Sequence, residues 1–347
     1  MKRILLIKLT SFGDLLHALP ALNDAYQADP TVQFDWAIDQ QFSEVAGWHP
    51  AVQRIFRTSH RNWRKNLSRL STYRSIKALI QEMRKTKYDL VIDGQGNFKS
   101  ALLSCFARGT RVGFDRDSAR EWIAHIAYQT QIAASRKAHA IDRLRILFAH
   151  AIGYPLPTTP PNFSLKEGCF VKPAIDLPES YLVFVHNAAW ATKLWPEEHW
   201  KELIARAVQH GLSILLPWGN LEEKGRAERL AGWPKVQVLP RLSLSEIGYV
   251  LKGARAAVCM DTGLSHLAAA LEIPSITLYG ATDSGLIGAS GRTQSHLQST
   301  FPCAPCNRKI CTFKDLNPPC LAQITPETVL RRLLKILDSK YPNFIEK

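Results

Sequence analysis

Short apolar runs alternate with amphipathic stretches along most of the sequence, and this alternation limits the possible folds more than any other feature. In the first half, apolar runs occur at residues 3–8, 33–38, 52–57, 88–93 and 111–114, with helical spacing between them. A continuous apolar run is typical of a strand that is covered on both faces of a parallel sheet. Strands that alternate with helices predict an α/β domain.

A second series of the same kind begins at about residue 181, with apolar runs at 181–186, 213–217, 236–239, 256–260 and 275–279. Residues 169–181 contain Pro173 and Pro178 but few large apolar side chains, which indicates a linker. A chain of 347 residues has room for two such domains. We therefore predict two doubly wound, Rossmann-like domains, at residues 1–170 and 171–324, whose parallel sheets face an interdomain cleft.

The last predicted element is a helix within residues 325–347. Thr325 suits its N-cap, Pro326 its first turn and Glu327 the positive end of its dipole. An apolar stripe follows at helical spacing, so the helix is expected to pack on another element, and we expect it to pack back towards the N-terminal domain.

The positive charge of the chain is concentrated in one segment. Of the net charge of +14, residues 51–150 carry 20 Lys and Arg against 7 Asp and Glu. Such a field attracts an anionic partner, which could be nucleic acid, anionic lipid or a phosphorylated small molecule. The segment has no nucleic-acid-binding motif, and helical spacing of its apolar residues places most charges on solvated faces. Nucleic-acid binding is therefore kept only as the alternative class.

Several features bear on the cellular location. The sequence has no run of 18 apolar residues that could span a membrane. The apolar run after Met1 is too short for a signal peptide and lacks a cleavage site. Seven cysteines in a chain of this length do not form a secreted disulfide framework. We expect a cytoplasmic protein.

The first apolar run leads through a small-residue turn into a helix. Residues 4–7 are followed by Thr10, Ser11, Phe12 and Gly13, and then by Asp14. Open α/β sheets bind ligands at the carboxyl ends of their strands, where such turns lie. Asp14 could therefore cap the helix or take part in chemistry.

The second half repeats this arrangement. The run at 256–260 ends in Asp261, Thr262 and Gly263, and His266 falls on the first turn of the helix that follows. Free N–H groups at a helix start suit a diphosphate. Lys193 follows the run at 181–186 and is predicted at the same sheet edge, where it could neutralise a leaving diphosphate. The plainer interpretation is a helix cap, a core histidine and a solvated lysine.

Four motifs together resemble the bacterial lipopolysaccharide heptosyltransferases, glycosyltransferase family 9. They are the turn at 8–20, Lys-x-Trp-Pro-x-x-x-Trp at 193–200, Asp-Thr-Gly-Leu-Ser-His at 261–266 and Leu-Tyr-Gly-Ala-Thr-Asp at 278–283. Segments at 61–65, 93–100, 119–121 and 139–143 resemble the heptosyltransferase I type. The resemblance implies a GT-B fold and inverting transfer of L-glycero-D-manno-heptose from ADP-heptose to the Kdo of Kdo-lipid A.

The resemblance also implies roles for individual residues. Asp14 matches the catalytic base. The donor-binding positions are Thr192, Lys193, Glu222, Leu242, Asp261, Thr262, Gly263 and His266. The acceptor-binding positions are Arg61, Arg64, Lys65, Lys99, Arg120 and Arg143. No cofactor or metal ion is expected, and we expect a monomer that associates peripherally with the inner face of the cytoplasmic membrane.

Two segments depart from the heptosyltransferase I pattern. Ala188 and Ala189 stand where that type tends to have hydroxyl residues, so a phosphate contact there must come from backbone N–H groups. The region around the last four cysteines resembles heptosyltransferase II, which leaves transfer to an existing heptose as the alternative reaction. Those thiols could hold a structural zinc ion, although their irregular spacing favours free or paired thiols: Cys303, Cys306, Cys311 and Cys320.

Overall fold

The computed structural model describes residues 2–66, 68–313 and 318–340, without the side chains of Arg61, Ser339 and Lys340. The chain divides into two compact α/β units, Met1–Cys169 and Phe170–Lys347. Each unit contains one six-stranded sheet, and the strands within both sheets are parallel.

The first unit has the sheet order β3-β2-β1-β4-β5-β6. Its strands are β1 (Arg3–Ile7), β2 (Gln33–Asp39), β3 (Val52–Thr58), β4 (Lys87–Asp93), β5 (Arg108–Phe114) and β6 (Thr130–Ile132). Its α-helices are α1 (Phe12–Leu16), α2 (Leu19–Ala28), α3 (Ser43–Gly47), α4 (His60–Lys65), α5 (Leu70–Arg84), α6 (Phe98–Cys105) and α7 (Ala140–Ile152). Two 3₁₀ helices span Gln40–Phe42 and Trp122–Ala127.

The second unit has the sheet order β12-β11-β10-β7-β8-β9. Its strands are β7 (Leu182–Val185), β8 (Ile214–Leu216), β9 (Val236–Val238), β10 (Ala256–Met260), β11 (Ser275–Tyr279) and β12 (Gln294–Gln298). Its α-helices are α8 (Glu197–Gln209), α9 (Leu221–Leu230), α10 (Leu244–Lys252), α11 (Gly263–Ala270), α12 (Ser284–Ile287), α13 (Pro319–Ala322) and α14 (Pro326–Lys340). A 3₁₀ helix spans Ala191–Lys193.

Both units therefore have the same topology. In each, the first strand lies between the second and the fourth, so the connections leave it in opposite directions along the sheet. Loops that diverge at such a switch point leave a crevice at the carboxyl ends of the two central strands, where doubly wound sheets bind ligands. The switch points are β1/β4 in the first unit and β7/β10 in the second.

Aromatic packing stabilises the second unit around its central strand. Phe184 on β7 and Trp195 and Trp200 at the start of α8 are all fully buried. The indole N–H of Trp195 donates to Ile324 O at 2.9 Å. This hydrogen bond connects the residues just before α8 with those just before α14. The helix predicted at residues 325–347 begins at Pro326 and packs on α8, β10 and β11 within the second unit.

No helix in the described part of the chain is long and apolar enough to cross a membrane.

Candidate active site

Asp14 lies on the first turn of α1, directly after the central strand of the first unit. The turn forms because Ser11 is the N-cap and Asp14 is the third helical residue, which is the spacing of a capping box. Ser11 N and Ser11 Oγ donate to Asp14 Oδ2 at 3.0 and 2.9 Å. The cap that the sequence suggests is therefore present, and it also fixes the carboxylate at the carboxyl edge of the sheet.

The surroundings of Asp14 favour its ionised form. Burial alone would raise the pKa of this carboxyl group, but the Lys8 ammonium, the two Ser11 hydrogen bonds and Arg120 together hold it below its usual value. Lys8 is itself buried, and its Nζ donates to Gly94 O at 2.9 Å. Burial lowers the pKa of Lys8, while Asp14 and Asp93 oppose that shift. The carboxylate and the ammonium therefore stabilise each other at the switch point.

The loop after β4 holds the loop after β1 in place. Gln95 Oε1 accepts hydrogen bonds from Leu9 N at 3.0 Å and Thr10 N at 3.2 Å. Asp93 in turn accepts from Gln95 N at 2.8 Å and from the Tyr128 hydroxyl at 2.6 Å. Burial raises the pKa of Asp93 against these hydrogen bonds. Sequence reasoning gave Gln95 and Tyr128 no role, although Gln95 lies within the motif at 93–100.

The predicted acceptor-binding residues differ in how close they lie to the Asp14 and Lys8 pair. Arg120 and Arg143 lie within electrostatic reach of Lys8, and both lower its pKa further. Arg143 is fixed by a hydrogen bond from its guanidinium to Ser118 O and by stacking at 5.0 Å over the Phe114 ring. Arg120, Lys99, Arg64 and Lys65 are exposed, and the side chain of Arg61 lies outside the described residues.

An ion pair between half-buried Lys193 and buried Asp261 spans the switch point of the second unit. Lys193 Nζ, from the loop after β7, lies 2.5 Å from Asp261 Oδ2 at the end of β10. The Thr282 hydroxyl donates to the same carboxylate oxygen at 2.5 Å, and His266 Nε2 lies 3.9 Å from Asp261 Oδ1. Thr262 is the N-cap of α11 and Gly263 its first residue, so free N–H groups of the helix start lie beside these side chains.

A second basic segment reaches the same loop. The Thr192 hydroxyl donates to Arg308 O at 2.6 Å, and Asn307 N donates to Ala281 O at 2.7 Å. Lys193 Nζ and Lys309 Nζ lie 4.7 and 5.7 Å from the centroid of the Trp190 ring. Residues 307–309 therefore add cationic groups beside Lys193. The sequence gave no signal for this contact, since it joins loops more than 100 residues apart.

Glu222 and Leu242 follow the two strands on the other side of β7. Glu222 is exposed on the first turn of α9, after β8, and half-buried Leu242 precedes the N-cap of α10, after β9. The predicted donor-binding residues therefore all follow the carboxyl ends of four adjacent strands, β9, β8, β7 and β10.

The four C-terminal cysteines have different surroundings. Cys303 is exposed, Cys306 and Cys311 are half-buried, and Cys320 belongs to the apolar core of the second unit. All are free thiols. In the described residues, no group of three or more His, Cys, Asp or Glu side chains is arranged to hold a metal ion.

The chain resembles known proteins over nearly its whole length. The family model of glycosyltransferase family 9 (heptosyltransferase) matches residues 76–317. The chain is 44% identical to lipopolysaccharide heptosyltransferase 1 of Pseudomonas aeruginosa, over 96% of its length and 98% of that protein. It is 43% identical to lipopolysaccharide heptosyltransferase 1 of Escherichia coli K12, over 84% of its length and 92% of that protein.

Solved structures give the same result. The chain superposes on the E. coli heptosyltransferase WaaC with ADP with a TM-score of 0.85 and 39% identity, over 96% of this chain and 99% of that one. For WaaC with ADP-2-deoxy-2-fluoro heptose the TM-score is 0.83, at 38% identity over the same shares. The predicted GT-B fold and the predicted heptosyltransferase activity of type I are confirmed. The chain belongs to glycosyltransferase family 9, the heptosyltransferases.

Proposed function

We propose that the chain transfers heptose from ADP-heptose to the Kdo of the lipopolysaccharide inner core, with inversion at the anomeric carbon. The type 1 relatives and the WaaC structures with ADP and an ADP-heptose analogue support this donor and this step. The observation that carries the proposal is the position of the Asp14 carboxylate, which the Ser11 cap fixes at the switch point of the first unit.

In this proposal the second unit binds the donor. Glu222 contacts the ribose and Leu242 the adenine, while Thr192, Lys193 and the N–H groups of Thr262 and Gly263 hold the diphosphate. His266 donates to the same anion. As ADP leaves, negative charge grows on the diphosphate, and fixed cations and N–H donors stabilise that charge without reorganisation. Asp261 serves mainly to hold the Lys193 ammonium in position.

The first unit binds the acceptor and supplies the base. The acceptor hydroxyl attacks the anomeric carbon and loses its proton to Asp14 Oδ1, the oxygen that neither Ser11 hydrogen bond uses. The C–O bond to the diphosphate breaks on the opposite face, so a single displacement needs one carboxylate and forms no glycosyl-enzyme intermediate. The basic residues at 61–65, Lys99, Arg120 and Arg143 then pair with the carboxylate and phosphates of the acceptor.

The proposed acceptor, Kdo, is part of the polar head of a membrane lipid, which has consequences for location. We propose that the chain works at the inner face of the cytoplasmic membrane as a peripheral protein. The excess of positive charge in the first unit supports this, because anionic headgroups attract basic surfaces.

The proposed acceptor is tested by comparing turnover of ADP-heptose with two purified acceptors, Kdo-lipid A and Kdo-lipid A that already bears one heptose. Release of ADP with the first and at least tenfold slower release with the second is expected. The reverse preference would overturn the assignment of Kdo as acceptor. It would favour transfer to an existing heptose, the reaction of the heptosyltransferase II type that the cysteine-containing segment resembles.

A further inference from the structure

The first unit exposes an unusual cluster of large apolar side chains. Helix α6 packs against the 3₁₀ helix Trp122–Ala127. Of the 14 large apolar side chains that are exposed in the described residues, six lie on these two helices or at the end of α6. We name this cluster the apolar patch: Phe98, Leu102, Phe106, Trp122, Ile123 and Ile126.

Helix α6 presents apolar side chains on both of its faces. Ser100, Ala101, Leu103 and Ser104 are buried on one side. The exposed side carries Phe98, Leu102 and Phe106, four residues apart and therefore aligned along one stripe. A surface helix ordinarily presents polar groups to water, and a contiguous apolar surface indicates a binding interface.

Positive charge surrounds the apolar patch. Residues 96–137 contain seven Lys and Arg against three Asp and Glu. The Arg116 guanidinium carbon lies 5.9 Å from the centroid of the Trp122 ring. Arg116, Arg120 and Arg136 line a concavity of about 740 Å³ whose wall includes Trp122 and Ile123, together with Asp117 and Glu121. The patch therefore has an anion-attracting rim with room for headgroup-sized phosphates.

We propose that the apolar patch docks on the surface of an anionic phospholipid bilayer. In this arrangement Phe98, Leu102, Trp122 and Ile126 enter the boundary between headgroups and acyl chains. Arg116 and Arg136 then face lipid phosphates. Apolar and aromatic side chains next to Lys and Arg are the composition of segments that lie in the membrane interface. The docking surface specifies how the peripheral location proposed above is reached, and it does not depend on the transfer reaction.

The cationic rim favours a bilayer over a protein partner. The core of a protein interface is depleted in charged residues, whereas apolar side chains beside arginines match the acyl chains and anionic headgroups of a bilayer. The negative potential of a bilayer that contains anionic lipid falls off within a Debye length, so the contribution of the rim must weaken with added salt. Binding to vesicles should therefore require both anionic lipid and the apolar side chains.

The test uses co-sedimentation of the full-length protein with sucrose-loaded vesicles. The vesicles are phosphatidylethanolamine with phosphatidylglycerol, or phosphatidylcholine alone, and neither contains lipopolysaccharide precursors. The variant is Leu102→Ser with Ile126→Ser, two exposed side chains outside the arginine-lined concavity. The matched control is Leu156→Ser with Val171→Ser, which removes two exposed aliphatic side chains elsewhere. Thermal unfolding of each protein shows whether it is folded.

We expect wild type and control to bind the anionic vesicles, more weakly in high salt, and to bind phosphatidylcholine at least tenfold less. The folded Leu102→Ser, Ile126→Ser variant should bind anionic vesicles at least tenfold less than wild type. Equal binding of variant and control would overturn the proposal. So would a failure of wild type to bind the anionic vesicles, which lack Kdo-lipid A, or a self-associated wild type that the variant converts to a monomer in the absence of lipid.

A second readout connects docking with turnover and rests on the proposed function. With a deacylated, water-soluble Kdo-lipid A, the variant should keep the kcat/KM of wild type. With the same acceptor embedded in anionic vesicles, its rate should fall at least tenfold. Loss of activity on both acceptors would contradict a role in docking. Loss of vesicle binding with no activity in any protein would instead refute the proposed reaction and leave the docking surface standing.

Discussion

Asp14 combines a structural and a chemical task in one side chain. Its Oδ2 accepts both hydrogen bonds from Ser11, which is an ordinary helix cap, and Lys8 and Arg120 keep its pKa low. A capped carboxylate is a rigid one, and a low pKa keeps it ionised at neutral pH. The two interpretations that the sequence leaves open are therefore compatible, because the cap positions the proposed base.

The Ser11 hydroxyl should set the acid limit of activity. Ser11→Ala removes one hydrogen bond to the ionised form of Asp14, so the pKa of that carboxyl group rises. The acid limb of the kcat/KM profile should then move to higher pH than in wild type, since activity is lost as pH falls through this pKa.

The matched control is Ser243→Ala, because Ser243 N and Oγ make the same pair of bonds to Glu246 at 2.8 and 2.7 Å. Each substitution should cost about 1 kcal/mol of stability. Ser243→Ala should leave the acid limb in place. Superimposable pH profiles for Ser11→Ala and wild type would contradict the assigned role of Asp14.

Lys193 is predicted to stabilise the departing diphosphate. Lys193→Met should lower kcat/KM for ADP-heptose by about 10²–10³, because one fixed charge at a developing anion contributes on that scale. Lys201→Met is the control, since the Lys201 side chain is 39% exposed and pairs with Glu198 on α8. The measurement is steady-state kinetics with ADP-heptose for both variants. Their melting temperatures show whether a lower kcat/KM reflects lost stability instead of lost catalysis. A Lys193→Met enzyme as active as Lys201→Met would exclude this role.

At the scale of elements, Gly113 on β5 is needed because the Tyr128 ring, whose hydroxyl donates to Asp93, packs directly against it. A Cβ at residue 113 would lie 2.3 Å from Tyr128 Cε2, and Tyr128 is the side chain that donates to Asp93. Gly113→Ala should therefore destabilise the protein by about 1–3 kcal/mol through overpacking. Denaturant unfolding measures this change.

The comparison is Gly225→Ala, whose new methyl group would meet only Arg229 Nη1, at 3.6 Å, on helix α9. Alanine favours a helix interior, so this variant should gain about 0.5–1 kcal/mol. A Gly113→Ala protein as stable as wild type would mean that the Tyr128 ring can move without cost.

Ten of the twelve strands in the described residues could be predicted from the sequence, and β6 and β12 could not. Apolar runs predict β1, β4, β7 and β10 because these strands are buried on both faces. Strand β12 is polar and half-buried, and β6 has three residues, so neither carries a pattern of its own. They form strands because β11 and β5 offer free edges for pairing.

The residues of the candidate site likewise include some that could be located from the sequence and some that could not. Asp14, Lys193 and Asp261 follow central strands and could be located from turns at the end of apolar runs. The roles of Gln95, Tyr128 and Thr282 could not be predicted, because each acts through side-chain hydrogen bonds to residues that are distant in sequence. Such contacts depend on which strands are neighbours, and spacing along the chain does not encode that.

At the scale of the whole molecule, buried histidines should limit stability in acid. Burial lowers the pKa of His49 to about 4 and that of His186 to about 3, below the value of about 6.5 in an unfolded chain. Below about pH 6.5 the unfolded state binds protons that the folded state does not, so the free energy of unfolding decreases as the pH is lowered.

We expect a loss of about 2 kcal/mol per histidine between about pH 7 and about pH 5, measured by urea unfolding. His49→Asn, whose amide oxygen can still accept from Ala51 N, should reduce that loss. A His49→Asn protein with the same pH dependence as wild type would show that His49 is protonated in the folded state.

The central claim is that Asp14 removes the acceptor proton while the second unit holds ADP-heptose. Its most direct test measures ADP affinity and the rate of heptose transfer to Kdo-lipid A in the same preparation of Asp14→Asn. The account predicts an unchanged Kd for ADP and a kcat lower by about 10²–10⁴, the usual contribution of a general base. A transfer rate near that of wild type would contradict it.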